Sequence, residues 1–280
     1  MTGTVYLVGA GPGHPDLLTV RARRVLDRAD VILFDSLTTP ELRVTFPEDA
    51  RAIDVGKRPD EHGERTTQAD IHELMIEHAT AGRDVVRLKG GDPMIYGRGG
   101  EEAEVLAAAS VPIEIVPGVS SSIAAPGIVG IPLTHRDHAS SLAVVTGHEA
   151  SGKSESSLDW SALANVVTAG GTLVILMGVR SLPTNTRRLR EQGVDPDTPV
   201  AMVQKATWED EQVVTGTLET ICEVRDERDI EPPATIVVGD VVRVRSRVKE
   251  ALSRGQEHGP VLRALASFEE ASTISVAPEQ

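Results

Sequence analysis

One stretch of the sequence, residues 85–102, restricts the fold more than any other. An apolar run, Val85-Val86-Arg87-Leu88-Lys89, ends abruptly in a glycine-dense loop that carries Asp92 and Arg98, and a helix-forming stretch follows from Glu101. Glycine lets main-chain groups approach a ligand closely, and the first amides of a helix lack internal partners and attract polar or negative groups. The stretch predicts a strand, a ligand-facing loop and a helix. The alternative is a tight turn that needs glycine only for its dihedral angles.

Strand-like and helix-like segments alternate along the chain, which is typical of an α/β protein. The clearest helix covers residues 67–81, where Thr67 and Asp70 form a capping-box start, Gly82 ends the helix, and His78 is expected to be a half-buried spacer. Closely spaced strands after Val200 favour a mixed, partly antiparallel second sheet. We expect a first α/β domain over residues 1–137, a second over 138–245 and an acidic tail over 246–280.

Composition excludes several classes of protein. Hydrophobic residues make up 40% of the 280, which is enough for a sizeable core, and no apolar run reaches the roughly 20 residues that cross a bilayer. The start of the chain has no basic region of a signal peptide. A single cysteine, Cys222, cannot form an internal disulfide, and there is no cluster of Cys and His ligands. We expect a cytoplasmic protein that binds neither a metal nor a membrane.

The charge balance is strongly acidic. With 28 basic and 42 acidic residues, the formal net charge is −14, which argues against nucleic-acid binding because that depends on a basic face. Acidic excess with few lysines also fits a protein adapted to molar salt, where screening removes self-repulsion. An ordinary acidic cytosolic protein is the alternative.

A second glycine cluster, Gly9-Ala10-Gly11-Pro12-Gly13, follows the first predicted strand and resembles a dinucleotide-binding loop. Its spacing is G-x-G-x-G rather than G-x-G-x-x-G, and Pro12 removes an amide donor that a pyrophosphate would need. Asp35 follows the next strand, where a ribose-binding carboxylate would lie. The pattern leaves a nucleoside-type ligand open and disfavours a pyrophosphate; a plain strand-to-helix turn is the alternative.

Four motifs in order resemble the tetrapyrrole methyltransferase family. They are residues 8–19, the loop from Gly90 to Glu102, Val116-Pro117-Gly118-Val119-Ser120-Ser121, and Gly130-Ile131-Pro132-Leu133-Thr134-His135-Arg136. The last motif is similar to the uroporphyrinogen-III C-methyltransferase branch of that family, and the similarity extends over about residues 4–245. The chain departs from the family pattern at Ser36 and at Ala206-Thr207-Trp208.

The resemblance implies two α/β domains, a homodimer, and S-adenosylmethionine bound in the cleft between the domains, with S-adenosylhomocysteine as the product. It also implies which residues line the cofactor site. They are Pro12, Gly90, Gly91, Asp92, Ser120, Ser121, Met177, Ala206, Ala234 and Thr235. Met177 is alternatively a plain core residue, given methionine's use as a gap-filler.

The resemblance further assigns Arg98, Glu101 and Arg136 to holding and orienting the tetrapyrrole. Uroporphyrinogen III carries eight carboxylates, and arginine binds carboxylates in a planar, bidentate way. Lys57-Arg58 is a possible further basic contact, or a solvated pair. The implied reaction is methylation of carbons 2 and 7 to give precorrin-2 by way of precorrin-1. The alternatives are a later precorrin methyltransferase and a non-catalytic small-molecule-binding protein on the same scaffold.

Overall fold

The structure is a computed structural model, and it describes residues 1–56, 66–148 and 156–254. The Lys57-Arg58 pair lies outside the described residues. Within them, strands and helices alternate, and the strands form two separate five-stranded sheets. The predicted α/β class is therefore confirmed.

The first sheet is built from the first half of the chain, and all of its strands are parallel. The strand order is β3-β2-β4-β1-β5, so β4 is the central strand and β1 lies between β4 and the edge strand β5. The strands are β1 (Val5–Gly9), β2 (Val31–Phe34), β3 (Arg51–Asp54), β4 (Val85–Lys89) and β5 (Ile113–Val116). The helices are α1 (Val20–Leu26), α2 (Pro40–Arg43), α3 (Gln68–Thr80), α4 (Gly99–Ala108) and α5 (Ser121–Ile128). Because parallel strands end at the same edge, the loops after β1, β4 and β5 lie side by side.

The second sheet is mixed, as the close spacing of strands after Val200 predicts. Its order is β6-β7-β10-β8-β9, and only β6 and β7 are parallel. The strands are β6 (Leu142–Thr146), β7 (Thr172–Leu176), β8 (Pro199–Gln204), β9 (Gln212–Thr217) and β10 (Ala234–Val238). The helices are α6 (Trp160–Thr168), α7 (Leu182–Glu191), α8 (Ile221–Glu227) and α9 (Val242–Arg254). A short connection between β8 and β9 permits only antiparallel pairing, since a parallel pair needs a long crossover.

Helix α3 begins as the capping box predicts. The Thr67 hydroxyl accepts from the Asp70 amide at 3.2 Å, and the Asp70 carboxylate accepts from the Thr67 amide at 2.7 Å. His78 is more buried than expected, with 1% of its surface exposed, because it faces the core with Ile71 and Met75. Its pKa is lowered, chiefly by burial and next by the charge of Arg83.

Helix α9 extends past residue 245, where the sequence suggested that the tail begins. It runs through Arg254, and the remainder of the predicted tail lies outside the described residues. The three-part division of the chain remains a proposal. The strands of the first sheet all fall within residues 5–116 and those of the second within 142–238.

Candidate active site

Glycines bring together the ends of the neighbouring strands β4, β1 and β5 of the first sheet. A Cβ atom at Gly9 would lie 2.5 Å from the Cα of Gly118, and one at Gly118 would lie 2.3 Å from the carbonyl oxygen of Gly91. Gly11 and Gly91 form a two-way main-chain bridge, with N···O distances of 3.1 and 2.8 Å. Any side chain at Gly9 or Gly118 would push these loops apart, so the glycines are needed for close approach.

The Asp92 carboxylate organises the loop after β4. One of its oxygens accepts from the Met94 amide at 2.8 Å, and the other accepts from the Gly118 amide at 3.0 Å. The second hydrogen bond ties this loop to the loop after β5. The Asp92 side chain therefore fixes the shape of the site by accepting hydrogen bonds from main-chain amides of both loops.

The two serines at the start of α5 have different surroundings. The Ser120 hydroxyl caps the helix by accepting from the Ser122 amide at 3.3 Å, and it also hydrogen-bonds the Ser122 hydroxyl at 2.9 Å. A Cβ atom at Gly91, whose φ is +70°, would lie 3.4 Å from the Ser121 amide nitrogen. The predicted residues Gly90, Gly91, Asp92, Ser120 and Ser121 are thus brought together at one edge of the sheet.

The predicted residues of the second half share one edge of the second sheet. Strand β10 is antiparallel to β7 and β8, with Ala234 paired to Gln204, so the start of β10 lies beside the ends of β7 and β8. Met177, just after β7, is 51% exposed and has a φ of 54°. It is not a core residue. Ala206 and Thr235, along the same edge, are buried.

Contacts between the two edges place both sets of predicted residues at one junction. The indole nitrogen of Trp208 donates to the carbonyl of Pro12 at 3.2 Å, and the His14 amide donates to the Thr207 hydroxyl at 3.0 Å. The Thr235 hydroxyl lies 3.5 Å from the Ser121 carbonyl oxygen. Trp208, one of the departures from the family pattern, packs against Gly13, where a Cβ atom would lie 2.6 Å from the indole nitrogen.

Arg98 and Glu101 form an ion pair at the start of α4. The guanidinium Nε lies 3.1 and 3.0 Å from the two carboxylate oxygens, and Nη2 also contacts Oε2. Both side chains are about half exposed. The hydrogen bonds that Arg98 donates to Glu101 raise the pKa of Arg98 above its ordinary value. Arg98 therefore stays charged and cannot act as a base.

Arg136 lies in a turn after α5. The turn is closed by main-chain hydrogen bonds of 2.9 Å in both directions between His135 and Ala139, and Arg136 at its tip is exposed. Helix α9 supports the turn, because Nη2 of Arg247 lies 2.5 Å from Nε2 of His138.

A buried charge network lies beneath the glycine-rich loop, and the sequence did not reveal it. Glu102 is fully buried; its two oxygens each lie 2.8 Å from Nζ of Lys89, and one lies 3.3 Å from Nε of Arg87. Gln68 at the start of α3 donates to the same carboxylate at 3.0 Å. Burial, followed by the charge of Arg87, lowers the pKa of Lys89. The only sequence signal was the presence of charged residues within an otherwise apolar strand.

The junction suits a nucleoside that carries an apolar or sulfonium group, and no phosphate, better than a polyphosphate. Main-chain groups of glycine loops dominate the first-sheet edge, and apolar side chains stay exposed around it: Leu37, Met94, Ile95, Tyr96 and Met177, each between 42% and 51% exposed. Pro12 provides no amide there. These features fit S-adenosylmethionine, whose adenine and methionine parts offer apolar surface.

Two features are absent from the described ranges, residues 1–56, 66–148 and 156–254. No helix in them is long and apolar enough to cross a membrane. They also contain no group of three or more His, Cys, Asp or Glu side chains arranged to hold a metal ion.

Comparison with known proteins gives a consistent result. Residues 4–222 match the family of Tetrapyrrole (Corrin/Porphyrin) Methylases. The chain is 48% identical over 248 residues to an S-adenosyl-L-methionine-dependent uroporphyrinogen III methyltransferase of Methanosarcina barkeri, covering 89% of this chain and 95% of that protein. The resemblance inferred from the four motifs is confirmed.

A solved structure shows the same fold. The uroporphyrin-III C-methyltransferase of Thermus thermophilus, complexed with S-adenosylhomocysteine, is 41% identical, with a TM-score of 0.73 over 86% of this chain and all of that one. A siroheme synthase of Pseudomonas aeruginosa is 44% identical over 88% of this chain. The chain spans about half (52%) of the length of that relative.

Proposed function

The chain belongs to the tetrapyrrole (corrin/porphyrin) methylase family, and we propose that it methylates uroporphyrinogen III with S-adenosylmethionine as the methyl donor. The products are precorrin-2, formed by way of precorrin-1 through methylation at carbons 2 and 7, and S-adenosylhomocysteine. The observation that carries the proposal is the junction itself, where the glycine loops of the first sheet meet the Met177 edge of the second.

The cofactor is held, in this proposal, by the residues of both edges. The loops at Pro12, Gly90 and Gly91 and the start of α5 at Ser120 and Ser121 provide main-chain groups, and Asp92 fixes their spacing. Met177, Ala206, Ala234 and Thr235 enclose the other side. The exposed apolar surface of Met177 supports this assignment because it leaves a face for a planar base.

The tetrapyrrole is held by arginine. Arg98 follows the glycine loop and Arg136 occupies the tip of the turn after α5, so each presents an exposed guanidinium to substrate carboxylates. On a chain of net charge −14, such local cations are needed to hold an anionic substrate. The two separate positions suit a wide macrocycle with carboxylates around its rim.

The chemistry requires alignment and one proton acceptor. When bound, S-adenosylmethionine supplies an electrophilic methyl group, and the substrate's pyrrole carbon supplies the electron pair. The residues of the junction align the methyl group with the pyrrole carbon. Alignment of this kind supplies a large part of the rate enhancement. Of the Arg98–Glu101 pair, only Glu101 has a group that accepts a proton, because the raised pKa of Arg98 keeps the arginine charged.

The proposal also covers the oligomeric state, the cellular location together with metal independence, and the adaptation to salt. A homodimer is supported by exposed apolar residues, namely Ile115 on the edge strand β5, Val20 on α1 and Ile123 on α5. A cytoplasmic, metal-independent enzyme is supported by the single cysteine, Cys222. Adaptation to high salt is supported by the excess of acidic residues.

The test is an anaerobic incubation of the purified protein with S-adenosylmethionine and uroporphyrinogen III in molar KCl, read by mass spectrometry. A gain of two methyl groups is expected. No gain, with S-adenosylhomocysteine still bound, would reject this substrate and favour a later corrin intermediate. No gain and no binding would reject the methyltransferase assignment.

A further inference from the structure

The loop between Asp92 and Arg98 reaches across to the second sheet through one side chain. The Tyr96 hydroxyl donates to the carbonyl of Val144 at 2.9 Å. Val144 lies on β6, which is an edge strand and pairs only with β7. An edge strand leaves main-chain groups without strand partners, so it can accept such a contact.

The backbone of this loop is held in a path that L-residues rarely adopt. Tyr96 has a φ of 53° and Arg98 a φ of 59°, both in the left-handed region. The path is fixed by the Asp92–Met94 hydrogen bond of 2.8 Å and by the Gly99 amide, which donates to the Pro93 carbonyl at 2.9 Å. These contacts allow the Tyr96 side chain to reach β6. Arg98, two residues later, directly precedes α4.

The contact connects the two sides of the active site. Strand β6 pairs with β7 in register, Val144 beside Val174 and Thr146 beside Leu176, and Met177 follows directly. Arg98 belongs to the tetrapyrrole side of the proposed site and Met177 to the cofactor side. A hydrogen bond from Tyr96 to β6 therefore fixes the position of one side relative to the other.

We propose that Tyr96 is a positioning residue for methyl transfer, which orders the Arg98 loop against the cofactor-binding half before the tetrapyrrole binds. The inference rests on the proposed function. A loop that is already ordered loses less conformational freedom on binding, so the contact improves substrate affinity. Burial raises the pKa of the Tyr96 phenol, so it stays protonated and remains a donor.

The first test compares Tyr96→Phe with wild type, and with Tyr6→Phe as the matched control. The first variant removes one oxygen from the contact, and the second removes the same atom from β1, away from the junction. Tyr96→Phe is expected to raise KM for uroporphyrinogen III roughly 3- to 10-fold, the effect of one net hydrogen bond. The kcat and the Kd of S-adenosylhomocysteine should stay unchanged, and Tyr6→Phe should behave as wild type.

Two results would overturn the assignment: an unchanged KM, or a parallel loss of S-adenosylhomocysteine affinity and Tm, which indicates a general structural role. If the wild-type protein does not methylate this substrate, the proposed function is wrong, and the KM comparison cannot be made. The second test, which needs no substrate, then examines the Tyr96 hydroxyl separately.

The second test is spectroscopic and needs no substrate. The chain has two tyrosines, so Tyr6→Phe leaves Tyr96 as the single one, and its ionisation can be followed by ultraviolet absorbance. Tyrosinate should form at a pH above the ordinary range, with the pKa returning to its ordinary value in denaturant. Ionisation at the ordinary value in the folded protein would mean that the Tyr96 phenol is neither buried nor hydrogen-bonded at the second sheet, and would overturn the inference.

Discussion

Glu102 and Lys89 form a buried ion pair at the base of the active-site loop, with both carboxylate oxygens 2.8 Å from the lysine nitrogen. The pair joins the end of β4 to α4, the helix that begins at Gly99, directly after Arg98. Its neighbour Arg87 adds a second buried cation to the same carboxylate. These buried ion pairs therefore hold together the two elements that flank the loop between β4 and α4.

Glu102→Gln is expected to destabilise the protein more than Lys89→Met. The first change leaves two cations buried without a countercharge, which typically costs about 3–5 kcal/mol. The second leaves Arg87 to compensate Glu102, so its cost should be smaller. Urea unfolding of both variants measures the difference, and equal costs would show that Arg87 does not compensate the carboxylate.

Arg98→Lys should impair tetrapyrrole use much more than cofactor binding. Lysine keeps the charge but loses the planar fork that binds carboxylates through two hydrogen bonds. We expect kcat/KM for uroporphyrinogen III to fall by about tenfold or more, corresponding to roughly 1.4 kcal/mol, with the Kd of S-adenosylhomocysteine unchanged. An equal loss of both would place Arg98 in the cofactor site or in the folding of the loop.

Arg247→Ala should weaken tetrapyrrole binding through the turn that carries Arg136. Arg247 holds His138 in that turn from α9, and loss of one such contact should raise KM roughly 2- to 10-fold. Arg243→Ala is the control, since Arg243 lies on the same helix and pairs with the exposed Asp240. If both variants raise KM equally, the effect comes from the helix and not from the turn.

The stability of the protein should fall in mildly acidic solution because of His78. Burial lowers its pKa below the ordinary 6.5, and neither ring nitrogen has a hydrogen-bond partner among the described residues. The unfolded state then binds a proton more readily, so the free energy of unfolding decreases as the pH falls through 6.5 towards the lower folded value. His78→Leu should reduce this dependence, and His148→Gln, at an exposed histidine, should preserve it. Urea unfolding as a function of pH is the measurement; the same pH dependence in all three proteins would exclude His78 as its source.

Activity and Tm should both rise from low to molar KCl. The net charge of −14 produces self-repulsion, and the screening length shrinks from about 10 Å at 0.1 M salt to about 3 Å at 1 M. Thermal unfolding and initial rates across a KCl series measure the effect. Maxima at low salt would assign the acidic surface to a cause other than salt adaptation.

Local patterns in the sequence predicted most of the fold and one part of the site. Strand β4 has the bounds of the apolar run that predicted it, and the capping box at Thr67 starts α3 as expected, because both depend on residues within a few positions of each other. The glycine loops were identified for the same reason. The cofactor-site residues on the two sheet edges were predicted from the family resemblance, and the structure brings them to one junction.

The sequence by itself determined the order of strands and helices, the glycine loops and the family, because each is written in short, contiguous stretches. Only the tertiary structure decided which of the adjacent residues Glu101 and Glu102 is exposed and which is buried. It also decided the Tyr96–Val144 and Arg247–His138 contacts, whose partners lie 48 and 109 residues apart. The physical reason is that burial and long-range pairing depend on how whole elements pack, and no periodicity along the chain specifies a partner that far away.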